Sequence, residues 1–284
     1  MAVLSKGNMF PSVVSNEIFS KVQGHSTVAK LANQIPVSFN GTDVFTFSVD
    51  GDISIVAENA AKPAGGLTVE PVKVAPIKVV YQSRVSDEFM YASEEAKLNI
   101  LTAFADGMAK KIATGLDKMA FHGVNPATGS TSALITNYFD NNVTNKVQKG
   151  AGTADEAVES AIALLGDYDA NGIALSKAFA TELSKQTTAD GAKMYPELAW
   201  GGQPNVLNGL RADVNSTVSP DLAIVGDWSA FKWGYAKNIM LETIEYGDPD
   251  GQGDLKAQNQ IVLRAEAYIG FAVIDPSAFA IVEA

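Results

Sequence analysis

The chain has 284 residues, 46% hydrophobic and 19% charged, with no cysteine and a formal net charge of −11. This is the balance of a packed globular protein of one elaborated domain or two, without disulfides, thiolate catalysis or sulfur-ligated metals. The acidic excess argues against a dedicated nucleic-acid reader, no apolar run reaches the roughly 18 to 20 residues of a membrane span, and Met1 to Asn8 lacks a secretory-signal pattern.

The first thirty-odd residues read as an arm. Pro11–Phe19 suits the start of a short helix that Gly24 interrupts, and Ser26–Ala32 carries three apolar anchors before Pro36 ends any helix. Val44–Val49 and Val72–Tyr81 then read as strands by their β-branched and aromatic content. The small, glycine-punctuated stretch Ala57–Gly66 lies between them. A two-stranded ribbon alone is marginal in water, so this hairpin must lie on the helix that follows or on a neighbouring subunit.

Ser86–Met90 reads as one capped helical turn. Ser93 then opens the longest predicted helix, with Leu101, Phe104, Met108, Ile112, Leu116 and Met119 at spacings of three and four. Glu94 and Glu95 in its first turn and Lys118 near its last suit the helix dipole, and Gly123 suits its C-terminal cap. The apolar stripe reads as a core face and not as a cofactor box. Gly123–Gly152 is polar and reads as a boundary.

Thr153–Glu156 is a capping box for a helix with Val158, Ala161, Ile162 and Leu165 on one face. Ile173–Leu175 and Leu222–Val225 read as short buried strands and Ser176–Gln186 as a helix, together a small α/β layer. The tail returns to antiparallel signals: Ile239–Tyr246, the loop Gly247–Asp254, Gln260–Tyr268 and Phe271–Ile274.

Little of this carries catalytic chemistry. His25 and His122 are the two histidines, and neither has a partner at metal-ligand spacing, so each is expected at the surface or at a cap. No Gly-x-Ser-x-Gly elbow, phosphate-binding Gly-x-x-x-x-Gly-Lys-Ser/Thr or dinucleotide glycine fingerprint is present. Asp248, Asp250 and Asp254 depart from the calcium-loop pattern, and a solvated hairpin loop is expected there. Asp167 with Asp169 is the sort of carboxylate pair that an acidic chain offers by chance. The expectation is therefore a non-enzyme with no catalytic, cofactor-binding or metal residue and no cofactor.

The order of the parts is more telling. An arm, a long hairpin, the turn Val85–Phe89 and a long helix ending Phe121-His122-Gly123 precede an α/β block. Val225–Phe231 and the terminal Tyr268–Phe279, with Asp275-Pro276-Ser277-Ala278-Phe279, close the chain. Over essentially its whole length the chain resembles the major capsid proteins of tailed phages with the Hong Kong 97-like fold.

The resemblance implies an α+β fold in which 1–39 is an N-terminal arm and 40–80 an extended β-hairpin loop. It makes 81–135 a peripheral domain with a spine helix, 136–236 an axial domain and 237–284 further peripheral strands. It implies a bacteriophage virion protein that self-assembles through pentamers and hexamers into an icosahedral shell around double-stranded DNA. Assembly would take place in the host cytoplasm, with scaffolding, portal and decoration proteins as partners, weak contact to the genome and no membrane. Since no long helical segment precedes the arm, scaffolding is expected from a removed segment or a separate protein. Some family members cross-link a lysine of the extended loop; Lys62 sits near its tip, but no motif matches the partner residues. An encapsulin-like compartment shell is the alternative within the same class, and an acidic soluble hydrolase the alternative outside it.

Overall fold

The computed structural model describes residues 21–22, 24–50, 53, 55, 56, 58, 62, 64–88 and 94–284. The expected helix start at Pro11–Phe19, the capping serine Ser93 and the Phe89–Met90 end of the predicted turn lie outside these residues. In chain order, helix α1 (Thr27–Leu31) leads into β1 (Asn33–Gln34), β2 (Thr42–Asp50), β3 (Gly66–Val74) and β4 (Pro76–Ser86). Helix α2 (Glu94–His122), α3 (Phe139–Asn142), β5 (Lys146–Gln148), α4 (Ala154–Ala163), β6 (Gly172–Leu175) and α5 (Lys177–Leu183) follow. The chain closes with β7 (Val206–Leu207), β8 (Leu210–Val214), β9 (Ala223–Gly226), β10 (Phe231–Ile244), β11 (Gln260–Val273) and β12 (Phe279–Glu283).

These strands form a four-stranded sheet in the order β1-β10-β11-β4, a six-stranded sheet in the order β5-β12-β9-β6-β8-β7, and the separate ribbon β2-β3. The two larger sheets share one body because the six-stranded sheet is covered on both faces. Along β12, Phe279 and Ile281 pack into the cluster around α2, while Ala280 and Val282 pack into the cluster beneath α4 and α5. Along β9, Ile224 faces the first cluster and Ala223 and Val225 the second. This is strand alternation with both faces apolar, so the strands read as continuous apolar runs.

Helix α2 carries the expected stripe: Met108, Ile112, Leu116 and Met119 are buried and Phe104 packs against the same core. Gly123 follows with φ +64° and its N–H donates to the Met119 carbonyl at 3.0 Å, the left-handed cap expected of glycine there. The four-stranded sheet lies against this helix through Ala265, Ala267 and Ile269.

Several expectations are corrected. Val72–Tyr81 is two strands: β3 ends at Val74, and Pro76, with no N–H to donate, opens β4 in the four-stranded sheet. The ribbon's second strand instead runs back to Gly66. Gly123–Gly152 is no mere boundary, because Phe139 is fully buried and packs against Phe231, Phe279, Phe121 and Trp228 at centroid distances of 5.1, 4.9, 5.6 and 5.6 Å.

On α4 and just after it, the buried face is Ala154, Ala157, Ala161 and Leu165. Ile162 is 37% exposed; with Val158, Ile173 and Leu183 it lines an open cavity of about 380 Å³. The predicted helix Ser176–Gln186 is shorter, with Ser176 as its N-cap.

Chain order misleads twice more. β10 begins at Phe231 and is 14 residues long, and β11 runs unbroken through Gly270. β12 leaves this pair and enters the six-stranded sheet between β5 and β9, so 237–284 does not stay with one sheet. The reason is burial: Phe279 to Val282 are apolar and fully buried there, with neighbours on both faces. The described part of the expected arm packs on the body, with Val22, Val28 and Leu31 buried in the main core and β1 paired in parallel with β10.

Candidate assembly surfaces

The part of the arm that is described is held by charge and hydrogen bonds placed far away in sequence. Asp117 of α2 is fully buried and accepts hydrogen bonds from Ser26 Oγ at 2.6 Å and from the backbone N–H groups of Thr27 and Val28 at 3.0 and 3.1 Å. Thr217 Oγ1 and Asn215 Nδ2 donate to the same carboxylate at 3.0 and 3.3 Å. Burial raises the Asp117 pKa to about 6, only partly offset by these hydrogen bonds. On β8, Asp213 accepts from Thr27 Oγ1 at 2.6 Å and pairs with Lys30, while Arg211 donates to the Leu31 carbonyl at 2.6 Å. Helix α1 is thereby tied to α2 and to the six-stranded sheet at once.

Close backbone approach secures the next residues. Ile35 N–H donates to the Trp233 carbonyl at 2.8 Å, and a Cβ on Gly234 would stand 1.9 Å from the Ile35 carbonyl oxygen. Only glycine fits there.

The ribbon is different. Its base is anchored, with Val44 and Val72 packing on the small cluster of Val37, Val74 and Ala272. Farther out Phe45 is 56% and Val69 43% exposed, and beyond the paired residues Ile53 and Ile55 are fully exposed. Between α5 and β7, Trp200 is also fully exposed and held at φ +58°, a backbone conformation unusual for a bulky side chain. Exposed apolar groups grouped on projecting elements mark interaction surfaces.

The acidic loop between β10 and β11 has an internal cation. Arg84 of β4, its side chain 11% exposed, donates from Nε to Asp250 Oδ2 at 2.8 Å and from Nη2 to Asp248 Oδ1 at 3.2 Å and the Gly253 carbonyl at 2.9 Å. Its Nη1 reaches Gln258 Oε1 at 2.7 Å and Gln260 Oε1 at 3.1 Å. The hydrogen bond from Arg84 holds the Asp250 pKa below its ordinary value. The loop expected to be merely solvated is thus a folded cap over a planar guanidinium, whose fixed fork of donors suits such an arrangement. Nothing in the sequence points from the loop to Arg84, because more than 160 residues separate them.

Of the other residues weighed for chemistry, His25, Lys62, Lys110, Lys111, Asp167 and Asp169 are exposed. His122 is not a surface group: it lies beside Asp140 and Asp221, two segments that no sequence spacing connects to it. No helix among the described residues is long and apolar enough to cross a membrane.

A ribbon with exposed apolar side chains beside a well-packed body suits a subunit of an assembly. The phage capsid family model matches residues 6–284. The chain belongs to the phage capsid family.

Among solved structures, one from Mycobacterium phage Ogopogo is 34% identical to this capsid protein, with a TM-score of 0.78 over 91% of each chain. One from Gordonia phage Cozz is 24% identical, with a TM-score of 0.76 over 91% of this chain and 86% of that one. The capsid of an empty GTA particle shares the fold at 17% identity and a TM-score of 0.68, over 91% of this chain and 89% of that one. No curated protein matches. The fold is the Hong Kong 97-like capsid fold, and the protein is a major capsid protein of a tailed bacteriophage that self-assembles into an icosahedral shell.

Proposed function

We propose that the β2–β3 ribbon, within residues 40–80, is an extended loop that lies across a neighbouring subunit. In this reading α2 and the four-stranded sheet form the peripheral domain. The six-stranded sheet with α4 and α5 forms the axial domain, gathered around fivefold and sixfold positions. The shell encloses double-stranded DNA, with scaffolding, portal and decoration proteins as partners, and the protein is not an enzyme. Contact with the genome is weak, because a subunit of net charge −11 opposes a polyanion at long range.

The observation that carries this reading is the exposure of Phe45 at 56% and Val69 at 43% on a ribbon whose base packs on Val37, Val74 and Ala272. A two-stranded ribbon gains little stability by itself, and a heterologous contact with the next copy covers such a surface while propagating a closed lattice. The test deletes Ile53–Leu67 and pairs circular dichroism with electron microscopy. The expected result is a folded body that forms no closed shells. Outright unfolding would place the ribbon's partner surface within its own subunit.

A further inference from the structure

His122, Asp140 and Asp221 come together from the end of α2, from α3 and from the turn before β9. One ligand atom from each, the His122 ring nitrogen and a carboxylate oxygen of each aspartate, lies within 4.8 Å of the others. The imidazole is oriented from behind. Its Nε2 donates to the Thr217 carbonyl at 2.9 Å, so in the neutral ring the lone pair sits on Nδ1. Without an ion that atom carries a proton and donates to Asp140 Oδ2 at 2.8 Å, with Asp221 Oδ2 at 4.0 Å; a cation would take the place of that proton.

A ring N–H fixed by a backbone carbonyl is the usual support of a metal-ligating histidine. Asp221 is 7% exposed, and its Oδ2 has no hydrogen-bond partner; neither has the buried Oδ1 of Asp140. Buried carboxylate oxygens without donors are costly. The nearby ammonium of Lys146 is engaged with Glu283 at 2.7 Å and does not supply the missing donor.

We propose that His122 Nδ1, Asp140 and Asp221 form a binding site for a first-row divalent cation, zinc foremost. The donor set decides the class of ion. Calcium and magnesium take oxygen ligands, whereas imidazole with carboxylates suits zinc and its first-row neighbours. Ligand atoms on a tetrahedral zinc stand about 3.3 Å apart, so the distances of 2.8 and 4.0 Å seen here even out with small side-chain rotations. Three protein ligands leave one position for water.

A bound ion would also satisfy the orphaned Asp221 Oδ2 and pin the C-terminal end of α2 to the margin of the six-stranded sheet.

The full-length chain, stripped with a chelator, is titrated with zinc chloride and in parallel with cobalt chloride as a visible-absorption probe. One tight zinc equivalent per chain is expected, with a raised thermal midpoint and cobalt bands that zinc displaces. Asp221→Asn and His122→Gln should each keep the circular dichroism of the parent and lose that equivalent. Absence of a tight equivalent in the parent chain overturns the site, as does an equivalent that survives both substitutions. Should either substitution unfold the chain, histidine-selective 15N labelling of the parent decides between the outcomes, since the sequence holds two histidines. Zinc should shift the His122 resonance and leave exposed His25 in place; an unmoved His122 overturns the proposal.

Discussion

The β2–β3 ribbon mixes apolar residues with Thr, Ser, Asp, Glu and Lys, whereas β6 and β9 of the six-stranded sheet carry no polar side chain, and the surroundings of the two regions are opposite. β6 and β9 are buried along their whole length, with one face on α4 and α5 and the other on the aromatic cluster. The ribbon pairs nine residues with nine, from Thr42 opposite Val74 to Asp50 opposite Gly66, yet leaves Phe45 and Val69 about half exposed. Each ribbon strand pairs on one edge, whereas β6 and β9 pair on both. The regions also differ in side-chain cover, which the chain supplies for the sheet and, in the proposed reading, a neighbouring subunit supplies for the ribbon.

That difference is most strongly tested in the body. Phe139→Ala removes the ring that Phe121, Trp228, Phe231 and Phe279 surround, and should cost about 3 to 5 kcal/mol by denaturant unfolding. A loss below about 1 kcal/mol would mean that the body's aromatic cluster is no better packed than the ribbon.

Asp117→Ala should come next. It leaves Ser26 Oγ and the N–H groups of Thr27 and Val28 without their acceptor, at a cost of about 2 to 4 kcal/mol. Limited proteolysis should then cut near residues 21–34 in the variant and spare the parent. Equal protection would show that apolar burial of Val28 and Leu31 alone holds α1 in place.

The same carboxylate gives a pH signature. Its pKa is about 6 in the folded chain against an ordinary 3.8, so the folded state holds a proton that the unfolded chain has released between these values. Its contribution to stability therefore rises as pH falls through 6 towards 4, and its burial cost is fully present above 6. The difference in stability between the parent and Asp117→Ala should be about 1 kcal/mol larger at pH 5 than at pH 7. A flat or reversed difference would contradict the raised pKa.

The smallest effect on folding is expected in the ribbon. Phe45→Ser should change subunit stability by less than about 0.5 kcal/mol and still reduce the yield of closed shells seen by electron microscopy. A large loss of subunit stability would erase the contrast between ribbon and sheet.

The spacing of Met108, Ile112, Leu116 and Met119 makes α2 and its buried face legible, and the capping box makes the start of α4 legible, with Thr153 N–H on Glu156 Oε2 at 3.1 Å. Both are local signals, carried by residues within one or two turns of each other. Ile162 departs from expectation because periodicity gives a helix an apolar side without saying how wide the cover over it is; alanines fill the close contact and Ile162 borders a cavity. Phe139 is hidden in a polar stretch because a single buried aromatic has no period. The grouping of His122, Asp140 and Asp221 is equally silent, since nothing in their separation along the chain encodes a shared end point.

The sequence by itself determined the long helix, the short apolar strands, the need of the ribbon for a surface and, through the order of these parts, the capsid family. Only the tertiary structure decided that β12 crosses into the six-stranded sheet, that Arg84 fills the aspartate loop and that Asp117 anchors α1. Periodicity and capping act between neighbours in sequence, whereas burial, charge pairing and hydrogen-bond satisfaction depend on which distant segments the closed core brings within a few ångströms.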